Sequence, residues 1–269
     1  MWYTECGPMG DVVLSSRVRL ARNIKEIPFS SRMTEQQREQ VVQSCKSAVL
    51  DGNSVLKDSM KFFDLDNMES SDKQALAECH IFSPQMADGK QNHRGLLLSD
   101  DQKTSILINE EDHIRIQCMA AGFDLDGCLK QAGRVDDILE EALSFGFDER
   151  FGYLTCCPTN VGTGLRASVM VHLPALVMNN GMERIISSLS RLGMTVRGIY
   201  GEGSKALGNI FQISNQVTLG VTEDETVQKL TQLVQEVVDA ERELRKKLFE
   251  ANKIALQDRI MRSYGILTN

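Results

Sequence analysis

The sequence predicts an α+β fold built on a large, mainly antiparallel or mixed sheet flanked by helices. Strand-like segments of period-two alternation recur along the chain and fall in pairs. Helical segments are set between them irregularly rather than in strict β-α-β order. No repeat, low-complexity tract or proline cluster divides the 269 residues, so the expectation is one domain over 1–269.

The strand-like segments run Val12 to Arg19, Lys61 to Leu65, Gly95 to Leu98, Ser105 to Asn109, His113 to Gln117, Gly152 to Thr155, Ala167 to His172, Val196 to Tyr200 and Phe211 to Ser214. Helices are marked more sharply. Thr34 and Gln37 have the spacing of a capping box ahead of an amphipathic run to about Leu50. Apolar residues at helical spacing occupy Asp124 to about Ser144, and Met182 to Leu192 is a shorter helix. Thr222 and Glu225 form a second capping box, opening a long helix through Leu248.

A net charge of −7 argues against direct nucleic-acid binding or a basic membrane footprint, while leaving room for a local basic pocket. No apolar run approaches the ~20 residues of a membrane span. The seven cysteines include no C-x-x-C pair, and no N-terminal stretch has the basic-then-apolar pattern expected of a signal peptide. Free thiols in such a chain point to a reducing, cytoplasmic setting, with Cys156 and Cys157 as two thiols.

Four segments carry polar residues where a sheet should be apolar. In SSRVRLARN, residues 15–23, Arg17 and Arg19 share one strand face. Such a pair suits a charged edge strand, or a bound anion that relieves the repulsion. In NEEDHIRI, residues 109–116, period two puts Glu111, His113 and Arg115 on one face, with Glu110 and Asp112 on the other. These acids suit a structural ion pair or a grip on a cation beside an anion clamp. A hydrolase metal site would need a second ligand cluster, and none follows.

In CPTNVGTGLRAS, residues 157–168, the glycines superficially match a dinucleotide loop, with Glu183 downstream. The next segment reads as a strand rather than a helix, so the segment is instead a turn bringing Arg166 and backbone amides to an anion. Cys157 lies at its start. In RGIYGEGS, residues 197–204, glycines flank Glu202 on a loop after Arg197. Together these segments supply five arginines, two acids and a thiol, a set that fits a polyphosphate clamp beside a pocket for a cation.

On SSRVR, NEEDHIR, CPTNVGTGLR, RGxxGE and FQISN, in that order, the chain resembles the phosphagen (ATP:guanido) kinase family. The resemblance implies a glutamine-synthetase-like antiparallel sheet flanked by helices, with ATP lying across it. It implies Mg2+ held mainly by nucleotide phosphates and water. Carried over by position, Arg17, Arg19, Arg115, Arg166 and Arg197 would grip the phosphates, with Ser15 beside them and His80 next to the adenine. Glu111 and Glu202 would hold the acceptor guanidinium, Glu111 as proton acceptor, and Cys157 would touch another of its nitrogens. A family histidine beside the adenine is replaced here by Met170.

The arginine motif begins at Ser15, which implies that the helical N-terminal lid of small-metabolite kinases is absent. The wording of residues 197–220 is similar to the bacterial branch that phosphorylates arginine in proteins, marks them for degradation in stress responses and acts with a zinc-containing activator. Protein substrates with exposed arginine, that activator and a second copy of the chain are therefore the expected partners. That branch's C-terminal phosphoarginine-binding domain would also be absent. The alternatives are a small-molecule guanidino kinase and a non-catalytic nucleotide- or phosphoarginine-binding module.

Overall fold

A computed structural model describes residues 2–51, 55–83, 92–198 and 207–268. Its centre is an eight-stranded sheet, ordered β2-β3-β4-β5-β1-β8-β10-β9, with every neighbouring pair antiparallel. The strands are β1 (Val13–Arg22), β2 (Met60–Asp64), β3 (Gly95–Ser99), β4 (Thr104–Ile108), β5 (Ile114–Ala121), β8 (Leu165–His172), β9 (Met194–Gly198) and β10 (Ile210–Asn215). A small hairpin, β6 (Phe147–Asp148) with β7 (Gly152–Tyr153), stands apart.

Period two divides the sheet into unlike faces. Val18 and Leu20 of β1, Ile114 and Ile116 of β5, Leu165, Ala167 and Val169 of β8 and Ile213 of β10 are buried in the main core. Packed into that core are α1 (Glu35–Leu50), α3 (Leu125–Ala142) and the first half of α6 (Glu223–Thr268), through Val41, Cys45, Ala132, Leu139, Leu230 and Val234 among others. Burial of this face drives the fold and pins the register, because a one-residue slip would turn Arg17, Arg19, Arg115 and Arg166 into the core.

Both capping boxes form. The Thr34 backbone N–H donates to Gln37 Oε1 at 2.9 Å, and Gln37 N–H donates back to Thr34 Oγ1. Thr222 and Glu225 make the equivalent pair at the start of α6. α6 extends beyond Leu248 to Thr268, with its helical backbone interrupted at Asn252. Two helices lie outside the segments expected to be helical. The first is α2 (Ser70–Glu78), none of whose residues is buried. The second is the five-residue α4 (Pro174–Met178), followed by α5 (Met182–Arg191). The α4 N-terminus is held by buried Glu241, which accepts from Ala175 N–H at 3.0 Å and Leu176 N–H at 2.9 Å.

On the opposite sheet face, Leu96, Leu98 and Leu107 form a second, smaller core with Leu65, Ile81 and Phe82 beside α2. The rest of that face is polar. No helix of the described residues is long and apolar enough to cross a membrane. All seven cysteines are free thiols.

Candidate active site

The register lays the polar face out in rows. Ser15 is level with Met170, which is level with Gln212, itself opposite Arg197. In the next row Arg17 lies between Met119 and Ser168, with Ser214 beyond. Arg19 follows, between Gln117 and Arg166. Arg115, level with Ala21, completes the face on β5. Five arginines from four strands thus gather on one side of an acidic protein because strand alternation sends their intervening neighbours into the core.

The cationic side chains are unevenly satisfied. Arg17 Nε donates to Ser168 Oγ at 3.2 Å and its Nη2 to Gln212 Oε1 at 3.0 Å. Burial, with Arg115 and Arg166 nearby, pushes its pKa down to about 10. Arg19 is driven well below the usual arginine range by burial and by Arg17, Arg115 and Arg166. Its Nε is buried with no hydrogen-bond partner. Such a cluster costs desolvation and mutual repulsion, and a polyanion laid across it offsets both. Arg166 Nη2 lies 3.5 Å from Ser214 Oγ.

The acidic segment departs from the alternation expected of it. β5 starts only at Ile114, and residues 109–113 form the turn after β4, with Asn109 at φ 59° and its N–H donating to His113 O at 2.9 Å. Period two therefore fails there. Both Glu110 and Glu111 reach Arg115, Glu110 in close contact and Glu111 at 3.2 Å. His113 is not on that face. It is fully buried, accepts at Nδ1 from Ile24 N–H (3.0 Å) and so presents Nε2–H to Pro28 O (2.8 Å). Burial lowers its pKa, which makes it a neutral structural bridge. Burial also pushes the half-exposed Glu111 carboxyl upward. Arg115 pulls it back, and Asp112 and Glu110 add to the rise.

Sequence spacing assigned no role to Asp112, Asn23 or Arg22, yet they set the Cys157 turn. Buried Asp112 accepts from Asn23 Nδ2 and from Cys156 N–H, both at 2.7 Å. Asn23 Nδ2 also donates to Leu154 O at 3.0 Å. The loop's other end is held by Arg22, which lies on the core face. Its Nη1 donates to Thr163 O at 2.9 Å, its Nη2 pairs with Asp136 at 2.6 Å, and its Cζ sits 3.5 Å over the Tyr153 ring. Cys157 begins a short 3-10 turn, Pro158–Asn160, with its Sγ 3.0 Å from Thr159 Oγ1. Gly162, at φ 115°, crosses so close to Thr218 that a Cβ would stand 2.1 Å from its carbonyl oxygen. β8 follows directly, so the glycine turn does not open a helix as a dinucleotide loop would.

His80 closes α2 at φ 59°. Its N–H donates to Ala77 O and Ile81 N–H to Leu76 O, both at 3.0 Å, a left-handed helix end usually given to glycine. Gln117 Nε2 donates to His80 O at 2.9 Å, fixing this end against the polar face. Burial and then Arg17 lower the His80 pKa. A cavity of about 610 Å3 opens here, with Ser15, His80 and Met170 in its lining. Arg197 sits near the end of β9, and Glu202 lies outside the described residues.

The model of ATP:guanido phosphotransferase, C-terminal catalytic domain, matches residues 40–244, a span containing Arg115, Cys157, Arg166 and Arg197. The chain is 46% identical over 259 residues to the protein-arginine kinase of Caldanaerobacter subterraneus subsp. tengcongensis, covering 96% of this chain and 77% of that protein. It is 47% identical over 268 residues to the protein-arginine kinase of Halalkalibacterium halodurans, covering 100% of this chain and 75% of that one. Among solved structures, the duplicated taurocyamine kinase from Schistosoma mansoni, with bound transition-state-analogue components, superposes at a TM-score of 0.79 and 25% identity. That match covers 89% of this chain and 35% of the other.

Proposed function

The chain belongs to the ATP:guanido phosphotransferase family, and on that premise we propose that it transfers the terminal phosphoryl group of ATP to a guanidinium nitrogen of arginine side chains in proteins. The observation that carries the protein acceptor is the 46–47% identity to protein-arginine kinases along 96–100% of the chain. The taurocyamine kinase, whose name specifies a small guanidino compound, is 25% identical.

Phosphoryl transfer of this kind passes through a loose transition state with charge spread over the phosphoryl oxygens, so positioning and electrostatics supply most of the catalysis. In this reading Arg17, Arg19, Arg115, Arg166 and Arg197 receive the phosphates, with Ser15 beside them. The desolvation and mutual repulsion of Arg17 and Arg19 support that role, since a bound polyanion relieves both. Arginines fit a triphosphate and not a cation. Mg2+ would accordingly be held by phosphate oxygens and water, where it neutralises phosphate charge.

Glu111 orients the acceptor guanidinium and takes its proton, a task favoured by a carboxyl pKa that burial raises from its ordinary value. Glu202 is assigned the second carboxylate contact, and Cys157 touches another nitrogen. The resemblance of residues 197–220 further supports a zinc-containing activator and a second copy of the chain as partners. It likewise supports phosphoarginine as a degradation or stress mark.

The test is incubation with ATP and either an arginine-rich protein or free arginine, followed by detection of acid-labile phosphate on arginine. Phosphate on the protein alone is expected, and Glu111→Gln and Arg166→Ala abolish it without unfolding the chain. Phosphate on free arginine alone would move the protein to the small-molecule class. ATP binding without turnover would make it a binding module.

A further inference from the structure

We propose that Asn23 is a positioning residue for the acceptor: its side-chain amide joins the turn that carries Glu111 to the segment that leads into Cys157, and so fixes the gap between the two groups that meet the guanidinium. The proposal rests on the phosphotransfer reading above and adds to it a residue that touches neither ATP nor the acceptor.

The donors and the carbonyl oxygen of the amide are all in use. Asn23 Oδ1 accepts from His113 N–H at 3.0 Å, while Nδ2 donates to Asp112 Oδ1 at 2.7 Å and to Leu154 O at 3.0 Å. The first two partners lie one and two residues after Glu111, in the turn ahead of β5, and the third lies on the segment running to Cys157. Asp112 Oδ1 closes the circuit by accepting from Cys156 N–H at 2.7 Å. The network thus stops one residue short of Glu111 on one side and of Cys157 on the other.

The residue type follows from these contacts. A short amide offers two donors and an acceptor from one planar group, whereas a carboxylate only accepts and a hydroxyl has a single donor. The amide is also held in place. Asn23 is only 3% exposed, its backbone O accepts from Gly146 N–H at 2.8 Å, and Gly146 O accepts from Leu154 N–H at 2.9 Å. At the next residue, Ile24 N–H donates to the ring of His113. Asp112 and His113 are fully buried, so breaking one of these bonds leaves a polar group unpaired away from water.

The phosphate arginines are placed differently. Arg17, Arg19, Arg115 and Arg166 sit where strand register puts them, so the amide of Asn23 acts on the acceptor end.

Asn23→Asp keeps the shape and the acceptor for His113 N–H, removes both donors and sets a carboxylate against Asp112. On the plateau of the pH profile it is expected to lower kcat toward an arginine-rich protein at least about tenfold and to raise KM for that protein. A misplacement of about 1 Å suffices for such a loss. Calorimetry with ATP alone should give a Kd within about twofold of wild type. Adding Asp112→Asn to Asn23→Asp returns a donor to their contact and leaves a single negative charge, and should recover kcat at least about threefold. A lower melting temperature with kcat and acceptor KM within about twofold of wild type would mark a merely structural role and overturn the proposal. So would ATP affinity falling in step with the rate, or a double variant no faster than Asn23→Asp. Should Asn23→Asp fail to fold, Asn23→Ser, which removes the amide without adding charge, is judged by the same rate and affinity readings. Absence of transfer by the wild-type chain overturns the phosphotransfer reading and this proposal together.

Discussion

Arg19 on β1 stands directly opposite Arg166 on β8, two guanidinium groups paired across adjacent strands at the centre of the polar face. Like charges so placed destabilise a sheet by about 0.2–1 kcal/mol, and Arg19 Nε has no compensating partner. In the proposed role, the arrangement spends stability to hold a site ready for an anion.

Arg19→Gln is therefore expected to raise the melting temperature of the ligand-free protein while reducing turnover by about 100-fold or more, the scale of a lost electrostatic donor. ATP should stabilise the wild type more than the variant. Thermal melts with and without ATP check this, and a ligand-free variant that melts below the wild type contradicts it.

The acid limb of the rate profile should follow Glu111, which accepts a proton only when ionised. Its raised pKa places that limb above the pH of an ordinary glutamate. Asp112 contributes to the rise, and an asparagine there still accepts from Asn23 and Cys156 through its side-chain oxygen. Removing a neighbouring negative charge makes the Glu111 carboxylate less unfavourable. Asp112→Asn should accordingly move the limb to lower pH, measured as kcat against pH; movement to higher pH contradicts the assignment.

Gly162→Ala places a methyl group 2.1 Å from Thr218 O in a backbone of φ 115° that side chains rarely adopt. The turn carrying Cys157 must shift. The expected result is a loss of stability of about 1–3 kcal/mol in denaturant unfolding and at least a tenfold fall in turnover. ATP affinity, held by the strands, should change little.

The vicinal thiols should separate cleanly. Cys156 is held through its backbone N–H, whereas the Cys157 side chain is the group assigned to the acceptor. Cys157→Ala is expected to lower turnover tenfold or more and Cys156→Ser to leave it within about twofold, both read from initial rates of phosphoarginine formation.

The sheet was legible because one of its faces is buried: alternation at Val18, Leu20, Ala167 and Val169 is imposed by the core, and the two capping boxes announce their helices by local hydrogen bonding. The same period placed Arg17 and Arg19 on a common face. Exposed α2 left no apolar stripe to read, and the His113 alternation failed because a turn has no fixed period.

By itself, then, the sequence determined the α+β class, the arginine motifs and the chemistry their residue types suit, since these depend on local periodicity and side-chain identity. Only the tertiary structure decided that Arg19 faces Arg166, that both Glu110 and Glu111 reach Arg115, and that Asp112 and Arg22 hold the Cys157 turn from its two ends. The first and last of these join residues tens to more than a hundred positions apart, where strand register and core burial set the distances, and the Glu110 and Glu111 contacts depend on the turn that precedes β5.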